Sequence, residues 1–199
     1  MTLALAIGWA IAAATGAAAA WIFERTRTHF CRPILRAVID HELGSLVETE
    51  TTDGLQKQKY ARIIVHNDGL TMAKNCCACI DFIKREDPRG SNYAFRSDLI
   101  DLNWAVSSSS KNIPSRSYKI LDVVHTQISK NEATRDTAFY IDGRIPYRLA
   151  RELKAQAGYE LHVLIYADNA APTDISCRIN VGSDWTELHI EPCSDPRPR

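Results

Sequence analysis

In the last third of the chain, apolar and polar residues alternate almost one for one. From Tyr159 to Asp168, Tyr159, Leu161, Val163, Ile165 and Ala167 take one set of positions and Glu160, His162, Leu164, Tyr166 and Asp168 the other. A period of two belongs to a half-buried β-strand, because successive side chains leave an extended backbone on opposite sides. The pattern returns after a turn at 169–173, in Ile175, Cys177, Ile179 and Val181. It returns again after Gly182 to Asp184, in Trp185 to Glu191.

The same reading extends backwards. Ile34 to Glu50 is rich in Leu, Val and Ile, with Gly44 marking a bulge or bend. Tyr60 to Asn67 alternates, and Asn67-Asp68-Gly69 then signals a turn, since Gly accepts positive φ. Ala73 to Lys84 places Cys76, Ala78, Ile80 and Phe82 on one face and Asn75, Cys77, Cys79 and Asp81 on the other. Residues 85–97 and 107–114 read as loops, and Leu99–Val106, Tyr118–Gln127 and Thr137–Ile141 as strands. Pro146 to Ala157 predicts one short helix, with proline in its first turn, Leu149 and Leu153 one turn apart and Gly158 at its end. No proline falls inside a proposed strand. Many short strands with turn punctuation predict an antiparallel sandwich or barrel.

The run from Leu153 through Gly158-Tyr159 to Val163 resembles the late-strand corner of immunoglobulin-like sandwiches. Val65-His66-Asn67-Asp68-Gly69 followed by Ala73 to Cys76 is similar to a strand pair of such domains. The resemblance covers residues 34–192 and implies a mainly β, immunoglobulin-like fold in which the tyrosine hydroxyl ties the corner to nearby backbone. It implies no activity.

The amino-terminal end is a different material. All 24 basic and 24 acidic side chains lie after residue 23. As a helix, Met1 to Phe23 would extend roughly 34 Å, enough for a hydrocarbon core of about 30 Å. Trp21 and Phe23 would sit at the interface, and Arg25, Arg27 and Arg32 just beyond it. This predicts a transmembrane anchor with the amino terminus outside and the following domain in the cytoplasm, because positive flanks stay inside. A cleaved secretory signal is the rival, supported by Ala17 to Ala20. It lacks the positive n-region such signals need, and the apolar run is too long. Ala4, Gly8, Ala12, Gly16 and Ala20 form one small-residue stripe, so a homodimer through Gly8, Ala12 and Gly16 is an expectation. The expected organisation is an anchor and basic flank at 1–32, a β-sandwich at 33–192 and a disordered tail at 193–199.

Among chemically capable residues, Cys76 and Cys79 have C-x-x-C spacing, and Cys177 and Cys193 would be the second pair of a metal site. On a strand, however, Cys76 and Cys79 point to opposite sides. Small apolar fillers are the plainer reading, so neither metal nor cofactor is expected. His162 and His189 could face each other on neighbouring strands. Trp104 and Trp185 read as core anchors. No nucleophile elbow, Walker loop or dinucleotide fingerprint occurs. Balanced charge argues against nucleic acid as a partner. The expected function is a membrane-anchored binding or scaffold module without catalysis, whose partners are the lipid bilayer and a protein. The alternatives are an exported structural domain with disulfides and a thiol or metal sensor built on Cys76 to Cys79.

Overall fold

The computed structural model describes residues 15–26, 31–50, 57–86, 93–95, 100–105, 111–128, 137–144 and 152–193. Fourteen strands are described: β1 Leu35–Val38, β2 Leu46–Glu50, β3 Lys57–Asn67, β4 Ala73–Glu86, β5 Tyr93–Phe95, β6 Ile100–Trp104 and β7 Lys111–Ile113. They continue as β8 Ser117–Ile128, β9 Thr137–Ile141, β10 Gly143–Arg144, β11 Glu152–Leu153, β12 Ala157–Ala167, β13 Ala170–Val181 and β14 Leu188–Pro192. Neighbours follow the order β1-β3-β8-β6-β4-β12-β13-β14, and the described pairings are antiparallel. β6 joins the two halves, because Ile100 and Asp101 pair with β4 while Asn103 and Trp104 pair with β8. The wall curls until β1 meets β13 and β14 meets β3, which makes a nearly closed barrel.

The core is built from the inward rows. Ala61 and Ile63 of β3 meet Val124 and Leu121 of β8, while Leu161, Val163 and Ile165 of β12 meet Ile83, Ile80 and Ala78 of β4. Trp104 is buried, and its indole N–H donates to the Cys76 carbonyl at 3.1 Å, so the ring anchors the core while its polar edge stays bonded. The side chain of Trp185 lies outside the described residues.

Two bulges correct the simple alternation in β4. Asp81 is an extra residue between the pairs Phe82–His162 and Ile80–Val163. It reverses the phase, so Ile83 and not Phe82 enters the core. A second irregularity sits between Ala73 and Cys76, where Asn75 has φ of 50°. The Ile34–Glu50 run is also two strands, separated by a turn with Gly44 at φ of 94°.

The helix expected at Pro146–Ala157 is overturned in its described part. Glu152 and Leu153 pair with Tyr140 and Phe139 of β9, and Ala157 already belongs to β12. Leucine spacing alone does not distinguish a helical turn from a buried strand residue, and burial of Leu153 beside Phe139 decides for the strand. Gly158 is therefore no helix stop. The corner is tied by Tyr159, whose hydroxyl accepts from the Lys154 N–H at 2.7 Å and donates to the Lys154 carbonyl at 3.3 Å.

Other boundaries shift. Pro172 lies inside β13, where the pairing with β12 slips. Residues 185–187 form a 3-10 turn before β14. Pro192 ends β14, and the Cys193 N–H donates to Ser176, so only 194–199 of the expected tail lies outside the described residues. β5 and β7 lie within expected loops.

Residues 15–26 are helical and exposed. Among the described residues, no helix is long and apolar enough to cross a membrane. Residues 1–14 of the expected span, with Gly8 and Ala12, lie outside the described residues, as does Arg27.

Candidate functional site

The cysteines do not converge. Cys76 and Cys177 belong to the core, while Cys79 pairs with Leu164 on the outward side of the same wall. Cys193 follows β14, beside Ser176. All six thiols are free, and among the described residues no group of three or more His, Cys, Asp or Glu could hold a metal ion. Burial pushes the Cys76 and Cys79 thiols up to about 11 and the Cys177 thiol higher still. At neutral pH these groups are protonated, which suits fillers and not nucleophiles.

The histidines separate as well. His189 pairs with Asn180, not with His162. His162 is buried on the outward side of β12, with Nδ1 at 2.5 Å from Asp81 and Nε2 at 2.8 Å from Asp174. The Asp81 bulge serves this contact, since it turns a carboxylate of β4 toward the ring. A ring with a carboxylate on each nitrogen is committed at both ends. It staples three strands together and leaves no nitrogen for a substrate.

The organised polar surface lies on the other half of the wall. Tyr60 of β3, His125 of β8 and Tyr140 of β9 stand in one cross-strand row, with ring centroids 5.6 and 5.7 Å apart. In the next row the Arg62 Nε donates to Asp122 at 2.6 Å, and the Arg62 guanidinium lies 4.7 Å above the Tyr60 ring. Asn103 of β6 donates to Asp142 at 2.7 Å. His125 Nδ1 is 3.5 Å from Asp142, too long for a hydrogen bond, and this buried nitrogen has no hydrogen-bond partner.

A β-bulge builds this surface. Ala61 pairs with Val124 and Arg62 with Asp122, so Val123 is the extra residue of β8. The phase change lets Asp122 and His125, three apart in sequence, share the outward face with Arg62 and Tyr60. Burial pushes the Asp122 carboxyl up, against the opposing pull of Arg62. Burial also raises the Tyr60 phenol, helped by Asp122 and Asp142. The surface thus combines ring faces, a cation and two carboxylates in a half-desolvated setting, where polar contacts are stronger than in water.

No protein-family model, no curated protein and no solved structure matches the chain. What the site can do must therefore be read from its own geometry.

Reading the sequence by motif missed this cluster. Tyr60, Arg62, Asp122, His125 and Asp142 make no motif, being drawn from β3, β8 and the residue between β9 and β10. The available signal was a set of outward positions filled by aromatic and charged residues in place of Thr, Ser or Lys.

The expected membrane-interface residues can be placed in part. Trp21 and Phe23 are exposed on the 15–26 helix, and Arg25 lies 5.0 Å above the Trp21 ring. Arg32 is exposed at the start of the β domain.

A further feature is an open groove of about 570 Å³ at the far end of β12–β14. It is lined in part by Glu86, Gly158, Asn180 and His189.

Proposed function

We propose that the chain is a single-pass, membrane-anchored module of immunoglobulin-like sandwich type. It binds a protein partner without catalysis, through the outward face centred on Tyr60, His125 and Tyr140. The observation that carries this reading is that face itself. An ion pair and an aromatic row are held on the outward side of a sheet, apart from the core cluster, with the Arg62, Asp122 and His125 side chains only 16%, 10% and 13% exposed. A buried pair is weak evidence for stability, because apolar replacements of the same volume often do as well. Tyrosine and arginine are also the residues on which protein interfaces most often turn. In this reading Met1 to Phe23 crosses the bilayer, and the β domain stands on the cytoplasmic side.

The test uses the full chain, tagged and crosslinked in its own membranes. Wild type should recover a stoichiometric partner or a second copy, and Tyr60→Ser with His125→Ser should lose it while the protein stays folded and anchored. Recovery of neither a partner nor self-association from wild type sinks the reading. Thiol labelling of Cys31 and Cys193 only after permeabilisation supports the orientation, and labelling on intact cells reverses it.

A further inference from the structure

The chain enters the β domain at one defined place. The Thr71 hydroxyl donates to the Cys31 carbonyl at 2.5 Å, and the Asp68 N–H donates to the Ile34 carbonyl at 2.8 Å. Asn67 fastens the entry, accepting from the Ile34 and Gly69 N–H groups and donating to the Thr71, Ile113 and Pro114 carbonyls. Gly69 is needed here for closeness: a Cβ on it would stand 2.6 Å from Ile34 N and Pro33 Cα. The turn at 68–72 is therefore strapped to residues 31–34.

The tip of that turn is apolar and faces out. Leu70 is 55% exposed, Met72 41%, and Ile34 beside them 53%. Exposed Arg32, Lys74 and Arg116 stand around this end against one exposed acid, Asp168 beside Lys74, and Arg36 pairs with Asp68, so cations are in surplus. Exposed apolar residues ringed by cations are the composition that a surface of anionic headgroups accepts.

Chain length adds a constraint. Residue 26 ends the described helix, and Cys31 is five residues on. Five residues span at most about 18 Å, whatever their conformation. If the helix belongs to a membrane span, the end of the domain carrying Cys31 cannot be far from the bilayer.

We propose that the 68–72 turn is a second membrane contact. Leu70 and Met72 sit in the headgroup layer of the bilayer that the amino-terminal segment crosses, so the β domain stands on its entry end and presents its wall sideways. This rests on the membrane-anchor reading above. The partner is a lipid surface with anionic headgroups.

The full chain can be tested with methyl-¹³C methionine in nanodiscs of phosphatidylcholine and phosphatidylglycerol, with and without lipid spin-labelled high on the acyl chain. The Met72 methyl is assigned by its loss in Met72→Leu. With spin label, the Met72 signal should lose most of its intensity, and Leu70→Asp should restore it while the chain still elutes with the discs. A chain that elutes with the discs and keeps a sharp Met72 signal overturns the second contact and leaves the anchor standing. A chain that elutes apart from the discs overturns both.

Discussion

Two ion pairs on this wall have the same chemistry and different surroundings. Arg62 and Asp122 meet at 2.6 Å, with side chains 16% and 10% exposed. Lys84 and Glu160 meet at 3.1 Å, with side chains 32% and 25% exposed. The second pair belongs to a cross-strand row of alternating sign, Lys84, Glu160, Arg178 and Glu191, in which Arg178 also reaches Glu86. That row is a more exposed charge ladder, with side chains 25% to 54% open to water, although the Arg178 Nε is itself buried without a hydrogen-bond partner. The first pair sits beside an aromatic row, with the Arg62 guanidinium over the Tyr60 ring, and has less access to water. The difference teaches that charge alone does not mark a site on a β-surface; charge held out of water does.

The largest effect should come from breaking the drier pair on one side. Asp122→Ala leaves the largely buried Arg62 guanidinium without its carboxylate, and should cost about 3 kcal/mol in a denaturant titration. Replacing both, Arg62→Met with Asp122→Leu, should recover most of that loss, because the desolvation cost disappears with the charges. If the double variant is as unstable as the single one, the pair is a structural necessity and the argument for recognition weakens.

A smaller effect, of opposite sign, is expected at His125. Its buried Nδ1 has no hydrogen-bond partner, while its ring packs between Tyr60 and Tyr140. His125→Phe keeps the ring and removes the unsatisfied nitrogen, so the fold should gain up to about 1 kcal/mol. Partner recovery should fall in the same variant. Gain of stability with loss of binding is the signature of a polar group kept for recognition, and loss of both would make His125 a packing residue.

On the ladder, Lys84→Ala should cost only about 0.5 kcal/mol, and the cost should shrink as salt is added. A cost as large as that of Asp122→Ala would erase the distinction between the two halves of the wall.

Much of this architecture was legible and the decisive details were not. Alternation located Tyr60–Asn67 and Tyr159–Asp168, because each sends one row of apolar side chains into the core and a period of two follows. The Gly158-Tyr159 pair foretold the bond of Tyr159 to Lys154. Bulges were invisible: Asp81 and Val123 look like any strand residue, yet each reverses the phase beyond it. Those two residues create the His162 staple and the Asp122–His125 face, so the polar chemistry lay where a strict period of two fails. Leu149 and Leu153 misled because spacing within one turn does not report whether a leucine's neighbours lie in the same element. Gly69 was placed in a turn for its φ freedom, whereas its evident role is to let the backbone of 32–34 approach.

The finest test of the comparison is the sign of a pH dependence. Asp122 has its carboxyl raised from an ordinary 3.8, chiefly by burial, with Arg62 pulling against it. A raised carboxyl favours the protonated form in the fold. Its contribution is therefore fully present below the unfolded value and is lost as pH rises through the folded one. Asp68 has its carboxyl lowered from the same 3.8, chiefly by its hydrogen bond to Arg36. Its contribution is present above the unfolded value and is lost as pH falls through the folded one. Asp122→Asn should thus remove a decline in stability with rising pH, and Asp68→Asn a decline with falling pH. Denaturation midpoints followed across the carboxylate range read both slopes. The Asp68 effect should be the slighter, since its side chain is 45% exposed and solvent screens the pair. Slopes of the same sign in the two variants would mean that Arg62 outweighs burial at Asp122, and that the outward face is as wet as the ladder.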